Sequence, residues 1–373
     1  MILVTGGAGY IGAHAVLALL EVGEDVLVLD NFCNSSPHAL TRIEQICGRR
    51  PVLVQGDVRN RGVLAKLFSR YPIRAVLHFA GLKAVGESVR KPLHYYDTNV
   101  SGTINLCQAM AAAGVFTLVF SSSATVYGGC RKMPIAEQAR SGRPTNPYGQ
   151  SKLMAEQVLG SLARADQRWR IALLRYFNPV GAHPSGLIGE SPNTIPNNLL
   201  PYLLRVADGK LPVLPVYGGD YPTVDGSGVR DYIHVQDLVA GHLDALHYLR
   251  THSGIRAWNL GTGIDYSVLQ VVKTFEQVTG VKVPVQMCER RPGDVAQCWA
   301  DPSRARSELG WVARYGLETM LRDAWHWQCT SPEGYEDGLV TMQEPIPGVP
   351  LSAGGAAATD DGLHALSMPR TRQ

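Results

Sequence analysis

A short apolar run at the start of the chain leads directly into a glycine-rich loop and then into a helical pattern. Residues 5–12 (TGGAGYIG) contain G-x-G-x-x-G from Gly7 and G-x-x-G-x-x-G from Gly6. Glycines permit a tight turn and let the backbone approach a pyrophosphate, which then lies at the positive N-terminus of the helix. A strand, loop and helix in this order favour a dinucleotide-binding α/β fold.

An aspartate ends the second apolar run: Asp30 lies eighteen residues beyond Gly12. At this point of a dinucleotide-binding unit, a carboxylate accepts hydrogen bonds from the hydroxyls of the adenosine ribose and repels a 2′-phosphate. The spacing therefore predicts NAD as the cofactor in preference to NADP. The alternative is that two ordinary turns coincide with this spacing.

Short apolar runs alternate with helical patterns through the first half of the chain. The runs are rich in Val, Leu and Ile and lack polar alternation, as in parallel strands that are covered on both faces. We therefore predict an α/β fold, a Rossmann-type doubly wound parallel sheet with right-handed crossovers. The predicted strands are residues 2–5, 25–29, 51–55, 75–79 and 116–121, with helices such as 13–22 and 61–69 between them.

The sequence changes in character after Asn178, where Pro and Gly become frequent. We predict an NAD-binding domain over residues 1–178 and a smaller, loop-rich substrate lobe over residues 179–337, placed over the strand ends. Residues 338–373 are predicted to be a disordered tail because they are rich in Gly, Ala, Pro and Ser. No membrane span is predicted, since the uncharged first twenty residues are broken by four glycines.

Composition argues against several classes of function. The chain has 35 Lys and Arg against 32 Asp and Glu and no basic run, which disfavours nucleic-acid binding. Its seven cysteines form no C-x-x-C pair, so we expect no disulfide framework and a reducing, cytoplasmic compartment. No cluster of Cys or His has the spacing of a zinc site, and we expect no metal.

One tyrosine has a lysine at helical spacing. Tyr148 is the only one of fifteen tyrosines with a lysine four residues later, Lys152, and on a helix the two side chains share a face. A neighbouring ammonium would lower the tyrosine pKa from about 10 toward the range of acid–base catalysis. Such a pair is usually only a helix surface pair, but Ser121, Ser122 and Ser123 end a predicted strand and supply a hydroxyl near the same cleft.

Together these features resemble the short-chain dehydrogenase/reductase superfamily in its extended form. From Met1 to about Asp337 the chain resembles the UDP-galactose 4-epimerase family, most closely in residues 78–88 (HFAGLKAVGES), 121–128 (SSSATVYG), 174–181 (LRYFNPVG) and 228–234 (GVRDYIH). The resemblance implies an isomerase that inverts C4 of UDP-galactose and UDP-glucose through a 4-keto intermediate with tightly bound NAD. It also implies a homodimer formed through helices near residues 92–113 and 148–163.

The resemblance assigns roles residue by residue. It implies Tyr148 as catalytic base and acid, Ser123 as the group that holds the sugar 4-hydroxyl, and Lys152 as the cation that binds the nicotinamide ribose and tunes Tyr148. The implied NAD contacts are Gly6, Gly9, Tyr10, Ile11, Gly12, Asp30, Asn31, Asn34, Ser35, Asp57, Val58, Phe79, Ala80, Lys83 and Phe177. The implied UDP-sugar contacts are Asn178, Asn198, Leu199, Tyr217, Arg230, Arg291, Asp294 and Cys298.

Residues at three sites bear on the choice between related activities and roles. Ala124-Thr125 stand where dehydratases of the superfamily have Asp-Glu, so a 4-keto intermediate has no acid–base pair for losing water and is reduced again. Cys298 stands where members restricted to unmodified hexoses have a bulky tyrosine, which suggests room for UDP-N-acetylglucosamine and UDP-N-acetylgalactosamine; the alternative is that it only packs the core. Asp57 either accepts the adenine amino group or caps the following helix.

The presence of Ser123, Tyr148 and Lys152 together favours an enzyme over a catalytically idle NAD-binding regulator.

Overall fold

The computed structural model describes residues 1–130, 132–139, 144–192, 196, 198–291 and 293–335. The predicted tail over residues 338–373 lies outside the described residues and stays a prediction. The strands of the described residues, in chain order, are β1 (Ile2–Thr5), β2 (Val26–Asp30), β3 (Val52–Gln55), β4 (Ala75–His78), β5 (Thr117–Ser123), β6 (Arg170–Tyr176), β7 (Asn178–Val180), β8 (Leu214–Tyr217), β9 (Val229–Arg230), β10 (Tyr232–His234), β11 (Gly254–Leu260), β12 (Tyr266–Ser267), β13 (Val285–Cys288) and β14 (Gln297–Cys298).

Helices connect most of these strands. In chain order they are α1 (Tyr10–Glu21), α2 (His38–Cys47), α3 (Arg61–Arg70), α4 (Val85–Arg90), α5 (Pro92–Tyr96), α6 (Gly102–Ala112), α7 (Pro147–Ala165), α8 (Leu199–Ala207), α9 (Val235–Tyr248), α10 (Val268–Thr279), α11 (Ser303–Leu309) and α12 (Leu317–Thr330). A π-helical turn, Asp97–Ser101, separates α5 from α6, and a 3₁₀ turn, Ala124–Tyr127, follows β5. In the part of the chain that the structure describes, no helix combines the length and the apolar character needed to cross a bilayer.

A seven-stranded sheet of parallel strands organises the fold, in the order β11-β6-β5-β4-β1-β2-β3. The predicted α/β fold with a doubly wound parallel sheet is therefore confirmed. The strand order reverses between β1 and β4, and the crevice outside the carboxyl ends of strands at such a point is where this architecture binds ligands. The glycine loop follows β1 directly, so it lies at this crevice.

Burial on both faces explains why the strands are continuous apolar runs. Every residue of β1, β2 and β4 is buried. Helix α1 packs against α2 and α9 over one apolar cluster, whereas α3 packs against α6 and α7 against β5 and β6. Two layers of helices therefore cover the sheet, as a parallel sheet requires.

Two strands extend further than the sequence predicts. The second strand runs to Asp30 rather than residue 29, and the fifth runs to Ser123 rather than residue 121. Backbone pairing with the neighbouring strand continues through these polar residues, so their burial is compensated by hydrogen bonds. As a result Asp30 and Ser123 are held by the sheet itself rather than by a loop.

The second half of the chain forms three small sheets. Strands β7 and β10 pair in parallel, β9 lies between β12 and β14, and β8 pairs with β13. Helices α8, α10 and α12 share one apolar cluster with these strands. Helix α9 and strand β11, however, return to the large sheet. These two elements lie beyond residue 178 in the chain but pack with the first half of the molecule. The domain boundary near residue 178 stays a prediction.

Candidate active site

The glycine loop forms a close backbone approach between β1 and the end of β4. Gly6 has φ +70°, and a β-carbon there would lie 2.7 Å from the Ala80 backbone nitrogen. A β-carbon at Gly12 would overlap the carbonyl oxygen of Gly6. Gly9 is the N-cap of α1, with no side-chain cap and no acidic residue in the first helical turn. The start of α1, which no side chain caps, therefore leaves its first backbone N–H groups for an anion.

Asp30 braces the glycine loop as well as facing the crevice. Its Oδ2 accepts a hydrogen bond from the Ala8 backbone N–H at 3.0 Å, and its Oδ1 accepts from Phe32 N–H and the Ser35 hydroxyl at 2.9 and 2.7 Å. The side chain is largely buried. Because a carboxylate has about four acceptor positions, Asp30 retains capacity for a further donor such as a ribose hydroxyl.

Asp57 is held by neighbouring side chains. Its carboxylate accepts hydrogen bonds from the Arg59 backbone N–H at 2.8 Å, from the Arg59 guanidinium and from Asn31 Nδ2 at 2.8 Å. Burial alone would raise the pKa of Asp57, but the hydrogen bonds from Arg59 and Asn31 lower it to about 2. The capping alternative is wrong for α3, because Asn60 is its N-cap and accepts from Val63 N–H at 3.1 Å.

Tyr148 and Ser123 meet at the carboxyl end of β5. Asn146 caps α7 by accepting from Gly149 N–H at 2.9 Å, and this places Tyr148 in the first helical turn. Burial raises the pKa of Tyr148, whereas a hydrogen bond with Ser123 and the charge of Lys83 oppose the increase. Ser123 Oγ also accepts hydrogen bonds from the Thr125 hydroxyl and N–H at 2.9 and 3.2 Å. The serine hydroxyl thus lies next to the phenol, and Ser123 and Lys83 are the groups that favour its ionised form.

Lys152 lies one turn after Tyr148 on the same face of α7 and is 6% exposed. Its Nζ donates a hydrogen bond to the Ser121 carbonyl oxygen at 2.7 Å and lies 5.0 Å from the centre of the Phe120 ring. Burial lowers the pKa of Lys152 to about 8, and the negative charge of Glu156 opposes this decrease. One of its three donors is used, so two remain for a ligand.

Other predicted cofactor contacts surround the same crevice. The Tyr10 hydroxyl donates to the Gly181 carbonyl oxygen at 2.7 Å, and the Lys83 ammonium lies 2.6 Å from Glu190 Oε1. Ala80 N–H donates to the Thr5 carbonyl oxygen at 3.0 Å, which fixes the end of β4 beside β1. Asn34 lies after β2, and Val58 is buried. The remaining side chains of this set, Ile11, Phe79 and Phe177, pack with apolar clusters.

The predicted UDP-sugar contacts fall into three groups. Arg230 on β9 contacts Asp294 at 2.8 Å, and Cys298 on β14 pairs in register with Arg230. The Arg291 guanidinium lies 3.8 Å from the centre of the Tyr217 ring. Asn178, Asn198 and Leu199 lie on β7, at the N-cap of α8 and at its first residue. The cluster that contains β7, α8 and β8 brings these segments together, although the side chain of Asn198 makes no cap hydrogen bond.

Sequence reasoning missed a buried network behind the Tyr148–Ser123 pair. Glu156 accepts hydrogen bonds from the Ser122 hydroxyl at 2.5 Å and from Arg175 at 2.9 and 2.6 Å. Arg175 also donates to the Tyr127 hydroxyl at 2.9 Å. The sequence contained part of the evidence for this network, since Glu156 follows Lys152 by four residues and so shares its helix face.

Asn99 was also missed, and it joins three segments of the site. Its side chain donates to the Leu82 carbonyl oxygen at 3.0 Å and accepts from Leu82 N–H at 2.8 Å. It donates as well to the Ser151 hydroxyl at 2.9 Å, and that hydroxyl donates to the Tyr148 carbonyl oxygen at 2.7 Å. The π-helical turn that carries Asn99 thus connects the end of β4 to α7, a role that its sequence neighbours do not indicate.

Comparison with known proteins identifies the family. Residues 3–324 match the family model described as GDP-mannose 4,6 dehydratase. A protein of Pasteurella multocida named UDP-glucose 4-epimerase is 57% identical over 336 residues, which are 90% of this chain and 99% of the relative. The chain belongs to the UDP-glucose 4-epimerase family. The resemblance inferred from the sequence is confirmed, and so is the predicted enzyme class, an isomerase.

Solved structures of UDP-glucose 4-epimerases share the fold. The enzyme from Bifidobacterium longum in complex with NAD+ and UDP has a TM-score of 0.87 at 50% identity, covering 89% of this chain and 99% of that one. The enzyme from Stenotrophomonas maltophila, with bound NAD and formylated UDP-arabinopyranose, has a TM-score of 0.87 at 52% identity, covering 89% and 98%. The structural similarity thus extends over nearly the whole length of both of these enzymes.

Proposed function

We propose that this chain interconverts UDP-galactose and UDP-glucose by inverting C4 through a 4-keto intermediate, with NAD as a retained cofactor. The observation that carries the proposal is the meeting of Tyr148 and Ser123 at the carboxyl end of β5, with Lys152 one helical turn away. This pair lies beside the crevice that the glycine loop borders, which is where a bound dinucleotide would present its reactive ring.

The residues of the crevice fit a dinucleotide. The close approach at Gly6 and Gly12 leaves no room for side chains, and the uncapped start of α1 is free of acidic residues in its first turn. Asp30 retains acceptor capacity for the adenosine ribose and would repel a 2′-phosphate. When bound, NAD supplies the acceptor of hydride from C4 and then its donor. The proposed contacts are the fifteen residues that the family resemblance implies.

Tyr148 and Ser123 handle the proton of the 4-hydroxyl. Thr125 directs two hydrogen bonds toward Ser123 Oγ, so the Ser123 proton is available for the sugar oxygen or the phenolate. Tyr148 takes the 4-hydroxyl proton as the C4–H bond breaks, and it returns a proton after the 4-keto sugar has turned over. Lys83 and Ser123 favour the phenolate that this step requires.

Residues next to Ser123 disfavour loss of water from the intermediate. Elimination would need an acid and a base beside the 4-keto sugar, whereas Ala124 is buried and Thr125 uses its hydroxyl on Ser123. Reduction back to an alcohol is the step that this arrangement supports. Arg230 and Arg291 would anchor the diphosphate while the sugar turns, since a planar guanidinium binds phosphate oxygens through paired hydrogen bonds.

A direct assay tests the proposed function. We would incubate the purified protein with UDP-galactose, add no NAD, and follow the anomeric protons by NMR. We expect UDP-glucose to accumulate toward equilibrium without an added oxidant or reductant. Absence of conversion, even after NAD is supplied, would contradict the proposal.

We further propose that Cys298 leaves room for an N-acetyl group, so that UDP-N-acetylglucosamine and UDP-N-acetylgalactosamine are also substrates. Cys298 is partly buried and packs against the cluster that contains Ala124 and Phe177, which are the sequence neighbours of the proposed site residues Ser123 and Asn178. Burial raises the pKa of its thiol to about 11, so the side chain is a small neutral group rather than a nucleophile. A tyrosine would fill far more of this space.

The substitution Cys298→Tyr tests the size of this pocket. We expect turnover of the N-acetylated sugar nucleotides to fall by at least about tenfold relative to UDP-galactose, because a buried clash opposes only the larger sugar. Cys107→Ala is a matched control, since that cysteine is buried in α6. If the ratio of the two activities is the same in wild type and Cys298→Tyr, the pocket has no such role.

The homodimer and the cytoplasmic location stay predictions. Val85, Val89 and Leu93 are exposed on α4 and α5, and they give an apolar surface close to the predicted contact helices. Sedimentation velocity at several concentrations would decide between a monomer and a dimer.

A further inference from the structure

Lys83 and Glu190 form an ion pair between segments that lie far apart in the chain. Lys83 follows β4 and Glu190 follows β7, and the ammonium nitrogen lies 2.6 Å from Glu190 Oε1 across a separation of 107 residues. The Glu190 side chain is 15% exposed and the Lys83 side chain 47%. The carboxylate is therefore the fixed partner and the lysine the adaptable one.

The segment that carries Glu190 contacts the start of α1 at its other end. We call residues 181–190 the crossing segment. The Gly181 carbonyl oxygen, at its beginning, accepts the hydrogen bond from the Tyr10 hydroxyl at 2.7 Å. Lys83, bound at its far end, lies 6.0 Å from the centre of the Tyr10 ring. Two links thus join the crossing segment to the border of the crevice in which the glycine loop lies.

Two buried aromatic residues, Trp327 and Tyr335, hold the crossing segment in place. Trp327 Nε1 donates to the Glu190 carbonyl oxygen at 3.2 Å, and the Tyr335 hydroxyl donates to the Gly189 carbonyl oxygen at 3.1 Å. The guanidinium of Arg42 lies 5.6 and 5.5 Å from the centres of these two rings. Glu190 therefore has a fixed position, and the Lys83 side chain must come to it.

We infer that Glu190 is a positioning residue that holds Lys83 across the opening of the cofactor crevice and so slows release of the dinucleotide. The inference rests on the proposed function, in which Lys83 contacts NAD. Glu190 uses one of the three ammonium donors and leaves two for the oxygens of the cofactor. A lysine that is already held in place loses less side-chain freedom when it binds, and release requires that the ordered contacts be broken together.

The variant Glu190→Gln tests the inference through the cofactor rather than through turnover. Unlabelled NAD in the purified protein would be exchanged against isotopically labelled NAD and followed by mass spectrometry. We expect release to be roughly fivefold faster, the size of effect typical of one partly exposed ion pair. Glu190→Asp, which keeps the charge but shortens the reach, is expected to lie between wild type and Glu190→Gln.

Two comparisons separate a positioning role from a general loss of stability. Glu276→Gln breaks a similar pair, at 2.8 Å, between Glu276 on α10 and Lys282 beyond its end, and is expected to leave release unchanged. In a Lys83→Met background, Glu190→Gln should add nothing, because Glu190 acts through Lys83. Release from Glu190→Gln as slow as from wild type, or an undiminished effect in the Lys83→Met background, would overturn the inference.

The experiments distinguish failure of the role inferred for Glu190 from failure of the proposed function. A wild-type protein that retains NAD but does not convert UDP-galactose would refute the function and leave the role of Glu190 supported by the exchange rates. A wild-type protein that converts UDP-galactose while Glu190→Gln holds NAD equally well would refute only the role of Glu190. A wild-type protein that retains no NAD would overturn the inference.

Discussion

Replacement of Tyr148 with Phe is expected to lower the turnover of UDP-galactose by about 10²–10⁴-fold, the range associated with loss of a general acid–base group. The phenyl ring remains, so packing at the start of α7 is preserved. Only the hydroxyl next to Ser123, which exchanges the proton, is lost. The same NMR assay measures turnover, and calorimetry with UDP measures whether the nucleotide still binds.

Tyr315→Phe is the matched control for this experiment. The Tyr315 hydroxyl donates to Gln236 at 3.2 Å, so its removal also deletes one tyrosine hydrogen bond, but away from β5 and α7. We expect the Tyr315→Phe variant to turn over UDP-galactose at nearly the wild-type rate. Near-normal turnover by Tyr148→Phe would show that another group moves the proton and would withdraw the assignment.

The second large effect concerns stability. Glu156→Leu is expected to reduce the free energy of unfolding by about 3–5 kcal/mol, because removal of one partner leaves a buried charge uncompensated. The side chains of Arg175 and Glu156 are only 8% and 6% exposed and lie 2.6 Å apart. Burial opposes the charge of Arg175, but an arginine stays protonated in proteins, so the guanidinium remains charged after the substitution. Urea titration followed by circular dichroism measures the change.

Two further variants test whether the loss of stability comes from leaving Arg175 without its charge partner. The double variant Glu156→Leu/Arg175→Met removes both charges and should recover most of the lost stability, since well-packed apolar replacements of buried pairs are often neutral. Glu44→Gln breaks an ion pair with Arg50 in which both side chains are more than a third exposed, and it should cost at most about 1 kcal/mol. A Glu156→Leu protein as stable as Glu44→Gln would contradict the argument.

The parts of the site that the sequence predicted are those that local geometry fixes. The glycine loop and Asp30 follow from the order strand, loop, helix and strand, and the i,i+4 spacing puts Tyr148 and Lys152 on one face. The parallel sheet followed from apolar runs without polar alternation. Each of these signals lies within about twenty residues of sequence, where period and turn chemistry can be recognised.

The parts that could not be predicted depend on tertiary register. Lys83 meets Glu190 across 107 residues, and Arg230 meets Asp294 across 64. No periodicity links such positions, so the partners of predicted binding residues become known only from the packed fold. Asp57 shows the same limit at short range: the sequence left a capping role open, and only the fold shows that Asn60 caps α3 while Arg59 and Asn31 bond to Asp57.

The edge strand β11 of the large sheet has a consequence for folding during protein synthesis. Strand β6 ends at Tyr176, yet its outer neighbour is β11, which the ribosome adds nearly eighty residues later. Until then the nascent chain presents the unpaired N–H and C=O groups of β6 as an open edge, a template on which other chains can pair. The first half of the molecule therefore cannot complete its folding until residues 254–260 emerge, and a chaperone has most to protect in that interval.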